Sequence, residues 1–201
     1  YTSWYISIIH HTYVLPYKDL DTSKYEKLED LPVFEYGCDS SYSWSAKYKK
    51  LQRKGTPREI TNRIYESMMN EFNPDGKFIH PGKGAYWQHL HITGGEPLMP
   101  HARECTVQII QCMMNDANVP ASITFETNGT QKLSEPFVEQ ISNYGCPVHW
   151  SISPKLWNTA GEKSDKAFQP HVIKEKQDVS PHGMIKFVCN GTDDTWNEID
   201  E

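Results

Sequence analysis

The chain has 201 residues, of which 37% are hydrophobic and 12% aromatic, enough to bury the core of one domain. Its 20 basic and 26 acidic residues give a net charge of −6, which argues against a surface built to bind a nucleic-acid backbone or an anionic membrane. A small-molecule ligand fits this charge balance better.

The N-terminal segment shows no targeting or membrane-spanning sequence. No apolar run reaches the length of a membrane span, and the first nine residues lack the basic start and small-residue cleavage site of a signal peptide. We therefore expect a cytoplasmic protein. Because the sequence starts at Tyr1 rather than at Met and stops at Asp200-Glu201 in an apparent helix start, we also expect truncation at both ends.

The first 35 residues contain a strand-like run at 4–9, followed by a tyrosine-rich stretch without a clear period. We interpret residues 1–35 as a divergent N-terminal segment or an insertion, ahead of a core at 36–201 in a single domain. The five cysteines are scattered and odd in number, so neither a disulfide framework nor a zinc ribbon is indicated.

From residue 56 the pattern becomes regular. Thr56, Pro57 and Glu59 form a helix start in which a hydroxyl cap, a proline at the first helical position and a glutamate three residues on cooperate. The apolar residues that would share one face of this helix are Ile60, Ile64, Met68 and Phe72.

The remainder alternates strands with helices. The pattern predicts strands at 87–93, 122–126, 148–152 and 184–189, and helices at about 100–115, 135–144 and 171–176. Strands separated by helices pair in parallel through right-handed crossovers. The sequence therefore predicts an α/β fold.

Each predicted strand is followed by a turn of ligand-binding type, at residues 94–97, 127–130, 153–155 and 190–193. In parallel α/β folds such turns share the carboxyl edge of the sheet, where ligands bind. We expect the four turns to line one cavity.

The first of these turns is Gly94-Gly95-Glu96-Pro97. Two adjacent glycines allow positive φ angles and expose backbone N–H and C=O groups, and Glu96 adds an acceptor. This chemistry suits the head group of an amino acid, which carries an ammonium and a carboxylate. A tight turn that needs glycine for steric reasons alone is the alternative.

His89 and His91 are two residues apart on a predicted strand, so both side chains leave the same face. They could chelate a metal ion, but packing or hydrogen bonding is the more ordinary role for strand histidines.

Four segments occur in an order and spacing that resembles the radical S-adenosylmethionine enzymes, closest to the 7-carboxy-7-deazaguanine synthases of queuosine and 7-deazapurine biosynthesis. The resemblance covers residues 36–200. The segments are Gly37-Cys38-Asp39-Ser40-Ser41-Tyr42-Ser43-Trp44, Ile92-Thr93-Gly94-Gly95-Glu96-Pro97, Phe125-Glu126-Thr127-Asn128-Gly129-Thr130 and Ser151-Ile152-Ser153-Pro154-Lys155.

The resemblance implies a partial (β/α) barrel that binds a 4Fe-4S cluster, S-adenosylmethionine and Mg²⁺. The implied reaction converts 6-carboxy-5,6,7,8-tetrahydropterin to 7-carboxy-7-deazaguanine with loss of ammonia, through a 5′-deoxyadenosyl radical. It also implies an electron donor such as flavodoxin and a homodimer. Neither a membrane nor direct contact with nucleic acid is expected.

The resemblance also carries residue roles. Cys38 corresponds to the third cluster cysteine, and Ser40 stands where the family has a threonine that contacts magnesium. Gly94, Gly95 and Glu96 would hold the methionine end of the cofactor. The further residues expected on the cofactor and substrate side are Glu126, Thr127, Asn128, Ser153 and Lys155.

Two departures from the family pattern leave alternatives open. No cysteine occurs in residues 1–37, and position 35, where a Cys-x-x-Cys spacing would need one, is Glu35. Either the first two cluster cysteines precede Tyr1, or this chain has lost them and the cluster, since one thiolate cannot hold it. The family's N-terminal Gln-Gly-Glu-Gly run is absent too.

Two other functions remain as alternatives. An activating enzyme that makes a glycyl radical on a partner protein shares the glycine-glycine-glutamate-proline turn, although the stretches at 42–44 and 153–155 favour the pterin branch. The other alternative is a cluster-less derivative without redox chemistry.

Overall fold

The computed structural model describes residues 20–27, 30–31, 46–51, 54–80 and 86–200. The chain divides into two compact units, Tyr1–Gln52 and Arg53–Glu201. In the first unit, short 3-10 helices span Thr22–Lys24 and Ala46–Tyr48, and Leu20, Tyr48 and Leu51 form a small buried cluster. The strand predicted at 4–9 lies outside the described residues. The division at residue 35 stays a prediction.

The second unit begins with helix α1, Pro57–Met68. Its capping box is formed as predicted, with the Glu59 N–H donating to the Thr56 hydroxyl and the Thr56 N–H donating to the Glu59 carboxylate. The prediction that Phe72 continues its apolar face is wrong. The helix ends at Met68, and Phe72 is 72% exposed.

Asparagine side chains explain this early end. The Asn70 side-chain oxygen accepts from the backbone N–H groups of Phe72 and Asn73. The Asn73 amide donates to the carbonyls of Met68 and Lys77. These side chains bind backbone groups that a continuing helix would otherwise pair, so they favour a turn.

Two sheets follow in the second unit. Strands β1 (Ile79–His80) and β2 (Tyr86–Trp87) form an antiparallel pair. Strands β3 (Leu90–Ile92), β4 (Ile123–Thr127), β5 (Val148–Ile152) and β6 (Gly183–Ile185) form a parallel sheet in that order. The α/β class with parallel pairing is confirmed. The sheet is not closed within the described residues, so the partial barrel is not confirmed.

Three strands differ from their predicted bounds. Strand β4 is shifted by one residue from 122–126, and two others are divided or shortened where their backbone hydrogen bonds leave the predicted ladder. The strand predicted at 87–93 is split, since the Gln88 N–H donates to Phe78 whereas the Leu90 N–H donates to Ser122. The strand predicted at 184–189 ends at Ile185. The Lys186 N–H still donates to Ile152, but Ile152 is the last residue of β5, so no further ladder forms.

The helices between these strands are α2 (Pro100–Asn115), α3 (Glu135–Ser142), α4 (Trp157–Ala160), α5 (Ser164–Ala167) and α6 (Pro170–Val179), and α7 (Asp193–Asp200) follows the last strand. The three predicted helices at about 100–115, 135–144 and 171–176 are confirmed as α2, α3 and α6. In the part of the chain that the structure describes, none of the helices combines the length and apolarity that a membrane crossing requires.

The core lies on one face of the parallel sheet. Phe125 of β4 is completely buried, stacks on Trp150 of β5 at 5.4 Å between ring centroids and meets Phe137 of α3 edge-on at 5.7 Å. The other members of this cluster are Leu98, Ile110, Ile123, Ile141, Tyr144, Val148 and Ile152. Successive strand residues alternate between faces, so the intervening residues lie on the opposite face.

Candidate functional site: the polar face and carboxyl edge of the sheet

The opposite face of the parallel sheet is polar. Parallel strands are usually apolar on both faces because helices cover both sides. Here the strand register places His91 beside Thr124 and Thr124 beside His149, while Glu126 lies beside Ser151. The sheet therefore offers hydrogen-bonding and titratable groups from several strands on one surface.

The turn after β3 has the backbone that its two glycines predict. Gly94 has φ of +88° and Gly95 has φ of +60°. Residues other than glycine rarely adopt positive φ angles. A Cβ on Gly94 would meet nothing within 4 Å. Glycine is needed at Gly94 for backbone conformation, and the space beside it is open to another group.

Glu96 joins the turn after β3 to the turn after β4. One carboxylate oxygen accepts from the Leu98 N–H at 3.0 Å and from the Thr127 hydroxyl at 2.7 Å. The other accepts from the Asn128 N–H at 2.8 Å. A carboxylate can accept about four hydrogen bonds, so most of the acceptor positions of Glu96 are used within the protein. Glu96 holds two predicted ligand-binding turns together.

The turn after β5 lies next to the same edge. The Ser153 N–H donates to the carbonyl of Thr127 at 2.8 Å, and both side chains are nearly fully buried. The Asn128 side-chain oxygen accepts from the N–H and hydroxyl of Thr130, which closes the turn locally. The structure therefore brings together Glu96, Thr127, Asn128 and Ser153.

Glu126 lies on the polar face of the sheet in an ion-pair cluster. Its carboxylate accepts from the Lys186 ammonium at 2.6 Å and lies 3.1 Å from Nε2 of His91. Partial burial acts to raise the pKa of Glu126, but the hydrogen bond and charge of Lys186, with His91, outweigh it and lower that pKa. Glu126 is thus held as a carboxylate.

Sequence reasoning missed Lys186. Lys186 follows Met184 by two residues, directly after the strand that pairs with β5, so both lie on the polar face of the sheet. Its contact with Glu126 joins residues that are 60 positions apart in the chain. His91 pairs with Glu126, in agreement with the ordinary hydrogen-bonding role. Within the described ranges, no group of three or more histidine, cysteine or acidic residues is placed to hold a metal ion.

Lys176 of α6 is a second residue that the sequence did not indicate. It is completely buried, and its ammonium donates to the carbonyl of Gln131 at 2.8 Å and to that of Val172 at 3.4 Å. Burial lowers the pKa of Lys176 to about 8, although the charges of Glu96 and Glu175 oppose the shift. Lys176 therefore supports the chain just beyond the 127–130 turn.

The lowered pKa of Lys176 predicts a pH-dependent stability. Because the folded-state pKa lies below the ordinary value, the folded protein gains stability as pH rises from about 8 towards the unfolded pKa of roughly 10.4. In Lys176→Met we expect this gain, about 1–3 kcal/mol, to disappear. Urea unfolding of both proteins at about pH 7 and pH 9.5 measures the difference.

Lys174→Met, on the exposed side of the same helix, is the control for that measurement and should keep the pH dependence of the parent protein. Equal pH dependence in Lys176→Met and the parent would contradict the prediction.

The remaining predicted site residues are not brought into this cluster by any described contact. Lys155 is half-buried beyond Ser153. The Asn190 side-chain oxygen accepts from Thr192 and from the Thr195 hydroxyl, which closes its own turn. Cys38 and Ser40, the predicted cluster and magnesium ligands, lie outside the described residues.

The predicted single cavity at the carboxyl edge stays a prediction. One described cavity, of about 200 Å³, lies beside β5, β6 and α6 and is lined by residues such as Trp150 and Met184. Another, of about 420 Å³, lies between α2 and α3. Neither of these two is lined by the turn residues.

The comparisons with known proteins identify no relative. No family model, no curated protein and no solved structure matches this chain.

Proposed function

We propose that the carboxyl edge and polar face of the parallel sheet bind S-adenosylmethionine, and that the protein is a radical S-adenosylmethionine enzyme of the 7-carboxy-7-deazaguanine synthase type, built on a partial (β/α) barrel. The observation that carries the proposal is the Glu96 link. It holds the Gly94-Gly95 turn against the Thr127–Asn128 turn, so two segments of the resemblance meet at one edge.

The chemistry of this edge matches the cofactor. S-adenosylmethionine carries an amino-acid head group with both charges, a sulfonium and a ribose with two hydroxyls. The positive-φ turn at Gly94 and Gly95 offers backbone groups for the head group. Glu126, kept ionised by Lys186 and His91, offers a carboxylate for a hydroxyl or for positive charge.

The remaining assignments belong to the same proposal. Ser153 and Lys155 line the substrate side, and the substrate is a small pterin. Ser40 supplies a hydroxyl to Mg²⁺, a hard cation that prefers oxygen ligands. When bound, a 4Fe-4S cluster would supply the electron that cleaves the sulfonium and starts the radical reaction.

The residues of this sequence do not suffice for the cluster. A 4Fe-4S cluster of this family is held by three thiolates, and Cys38 has no cysteine before it in residues 1–37. The residues of this sequence therefore support no reaction step through the cluster. Cofactor binding is the part of the function that its own residues can perform.

Isothermal titration calorimetry with S-adenosylmethionine tests the proposal directly. We expect one binding site per chain, and about tenfold weaker binding in Glu126→Gln because a charge-assisted hydrogen bond becomes a neutral one. Glu104→Gln, an exposed change on α2, is the matched control and should bind normally. No heat of binding in the parent protein would reject the proposal.

A second experiment addresses the reaction. Protein that holds the cluster after anaerobic reconstitution with iron and sulfide should be brown and should release 5′-deoxyadenosine with the pterin substrate. Absence of both, in protein that still binds S-adenosylmethionine, would favour the second candidate.

That second candidate is a cluster-less derivative that binds S-adenosylmethionine without redox chemistry. The observation that favours it is Glu35, which stands where a Cys-x-x-Cys spacing to Cys38 would need a cysteine. Iron analysis of the purified protein, measured beside the calorimetry, separates the two candidates.

A further inference from the structure

Three histidines lie in one row across the polar face of the sheet. His91 of β3 and His149 of β5 both pair in register with Thr124 of β4. His182, directly before β6, lies beside His149, with ring centroids 5.5 Å apart. We call His91, His149 and His182 the imidazole row.

The imidazole row contains histidines without an acidic partner among the described residues. His91 is paired with Glu126, but no described salt bridge joins a carboxylate to His149 or His182. Glu126 already accepts from Lys186. Thr124 pairs in register with His149, Ser151 follows it two residues along β5, and the charge of His89 acts on it; none of these three carries negative charge.

This arrangement favours an anion over a metal ion as ligand. A transition metal bound by histidine normally takes three or four protein ligands, and no such group occurs in the described part of the chain. Two imidazoles side by side can instead donate two N–H bonds to the oxygens of one oxyanion, once both are protonated.

We propose that His149 and His182, in a row with His91, bind the oxyanion group of a small molecule, a carboxylate or a phosphate. His182 is exposed and His149 half-buried, so the pair is accessible from the polar face. The pair lies on the same polar face as Glu126, which the proposed function assigns to the cofactor, but two residues away along the strands, and its anion binding is measured without the cofactor.

Binding at this pair takes up protons. Burial, followed by the charges of His182 and His89, lowers the pKa of His149, so its neutral form is favoured in the ligand-free protein. A bound anion stabilises the protonated form and raises that pKa. Affinity for an oxyanion should therefore increase as pH falls through the imidazole range.

NMR titration of the histidine side chains, with inorganic phosphate and acetate as separate probes, tests the proposal. We expect a saturating probe to raise the pKa of His149, to change the ring signals of both His149 and His182, and to bind roughly tenfold more tightly at about pH 6 than at pH 8. Tighter binding of phosphate would indicate a phosphate ligand, and tighter binding of acetate would indicate a carboxylate ligand.

Variants give the second readout. His182→Gln, a change at an exposed residue, should weaken binding about tenfold. His101→Gln and His171→Gln, exposed changes at two helix starts, should leave binding unchanged. Thermal unfolding checks that each variant is folded.

Several results would overturn the proposal. One is an equal response of the His101 and His149 ring signals to the anions, which would indicate ionic screening alone. Another is absence of any shift with either anion in folded protein. A third is binding of Zn²⁺ by the pair without any response to phosphate or acetate. None of these results bears on binding of S-adenosylmethionine at the carboxyl edge, so failure of one proposal leaves the other testable.

Discussion

Glu96→Ala should destabilise the protein by about 2–4 kcal/mol and abolish binding of S-adenosylmethionine. The carboxylate accepts from Leu98, Thr127 and Asn128, and alanine leaves these three donors without it. The hydroxyl of Thr127 is the most affected, because that residue is only 2% exposed. The two turns would then no longer be held in register.

Glu96→Gln separates the charge from the shape of this residue. The amide oxygen can still accept from Leu98 and Thr127, whereas the amide nitrogen cannot accept from Asn128. We expect a loss of about 1–2 kcal/mol, between the parent protein and Glu96→Ala. Urea unfolding measures the stabilities, and calorimetry measures binding in the same preparations.

The control for both Glu96 variants is Glu104→Gln on α2, where an exposed charge changes without a described contact to the turns. If Glu96→Ala kept the stability and the cofactor affinity of the parent protein, Glu96 would not be what holds the edge together. Loss of stability without loss of affinity would limit its role to the fold.

Phe125→Ala should cost about 3–5 kcal/mol of unfolding free energy, the largest effect that we expect from a single change. Phe125 is fully buried between Trp150 and Phe137, so alanine leaves a cavity between the sheet and α3. It also removes two aromatic contacts. Because Phe125 directly precedes Glu126, the position of that carboxylate should also change.

Phe72→Ala is the matched control, since it removes the same side chain from a position that is 72% exposed. We expect its effect to stay within about 0.5 kcal/mol. Chemical denaturation of the three proteins decides the comparison. Similar losses of unfolding free energy in both variants would show that the contacts of Phe125 with Trp150 and Phe137 do not dominate the stability of the core.

Local sequence was sufficient to predict some elements. The capping box of α1 depends on groups three residues apart, so Thr56, Pro57 and Glu59 indicated the helix start without knowledge of the rest. The alternation of strands and helices indicated a parallel sheet. The positive φ of Gly94 and Gly95 followed from residue type.

Other features depended on contacts between distant residues. The stretch at 87–93 has one continuous strand pattern, but its backbone hydrogen bonds go first to Phe78 and then to Ser122. The alternation of apolar and polar residues contains no information about such a change of partner. The end of α1 was missed because Asn70 and Asn73 compete for the backbone through their side chains.

The candidate site divides in the same way. Residue types and their spacing along the chain were enough to indicate which turns carry ligand-binding groups, because glycine, asparagine and glutamate have local preferences. Only the tertiary structure decided that Glu96 bridges two turns, that Lys186 pairs with Glu126 and that Lys176 is buried beneath Gln131. These pairs are separated by 32 to 60 residues and depend on strand order and register, which no local preference determines.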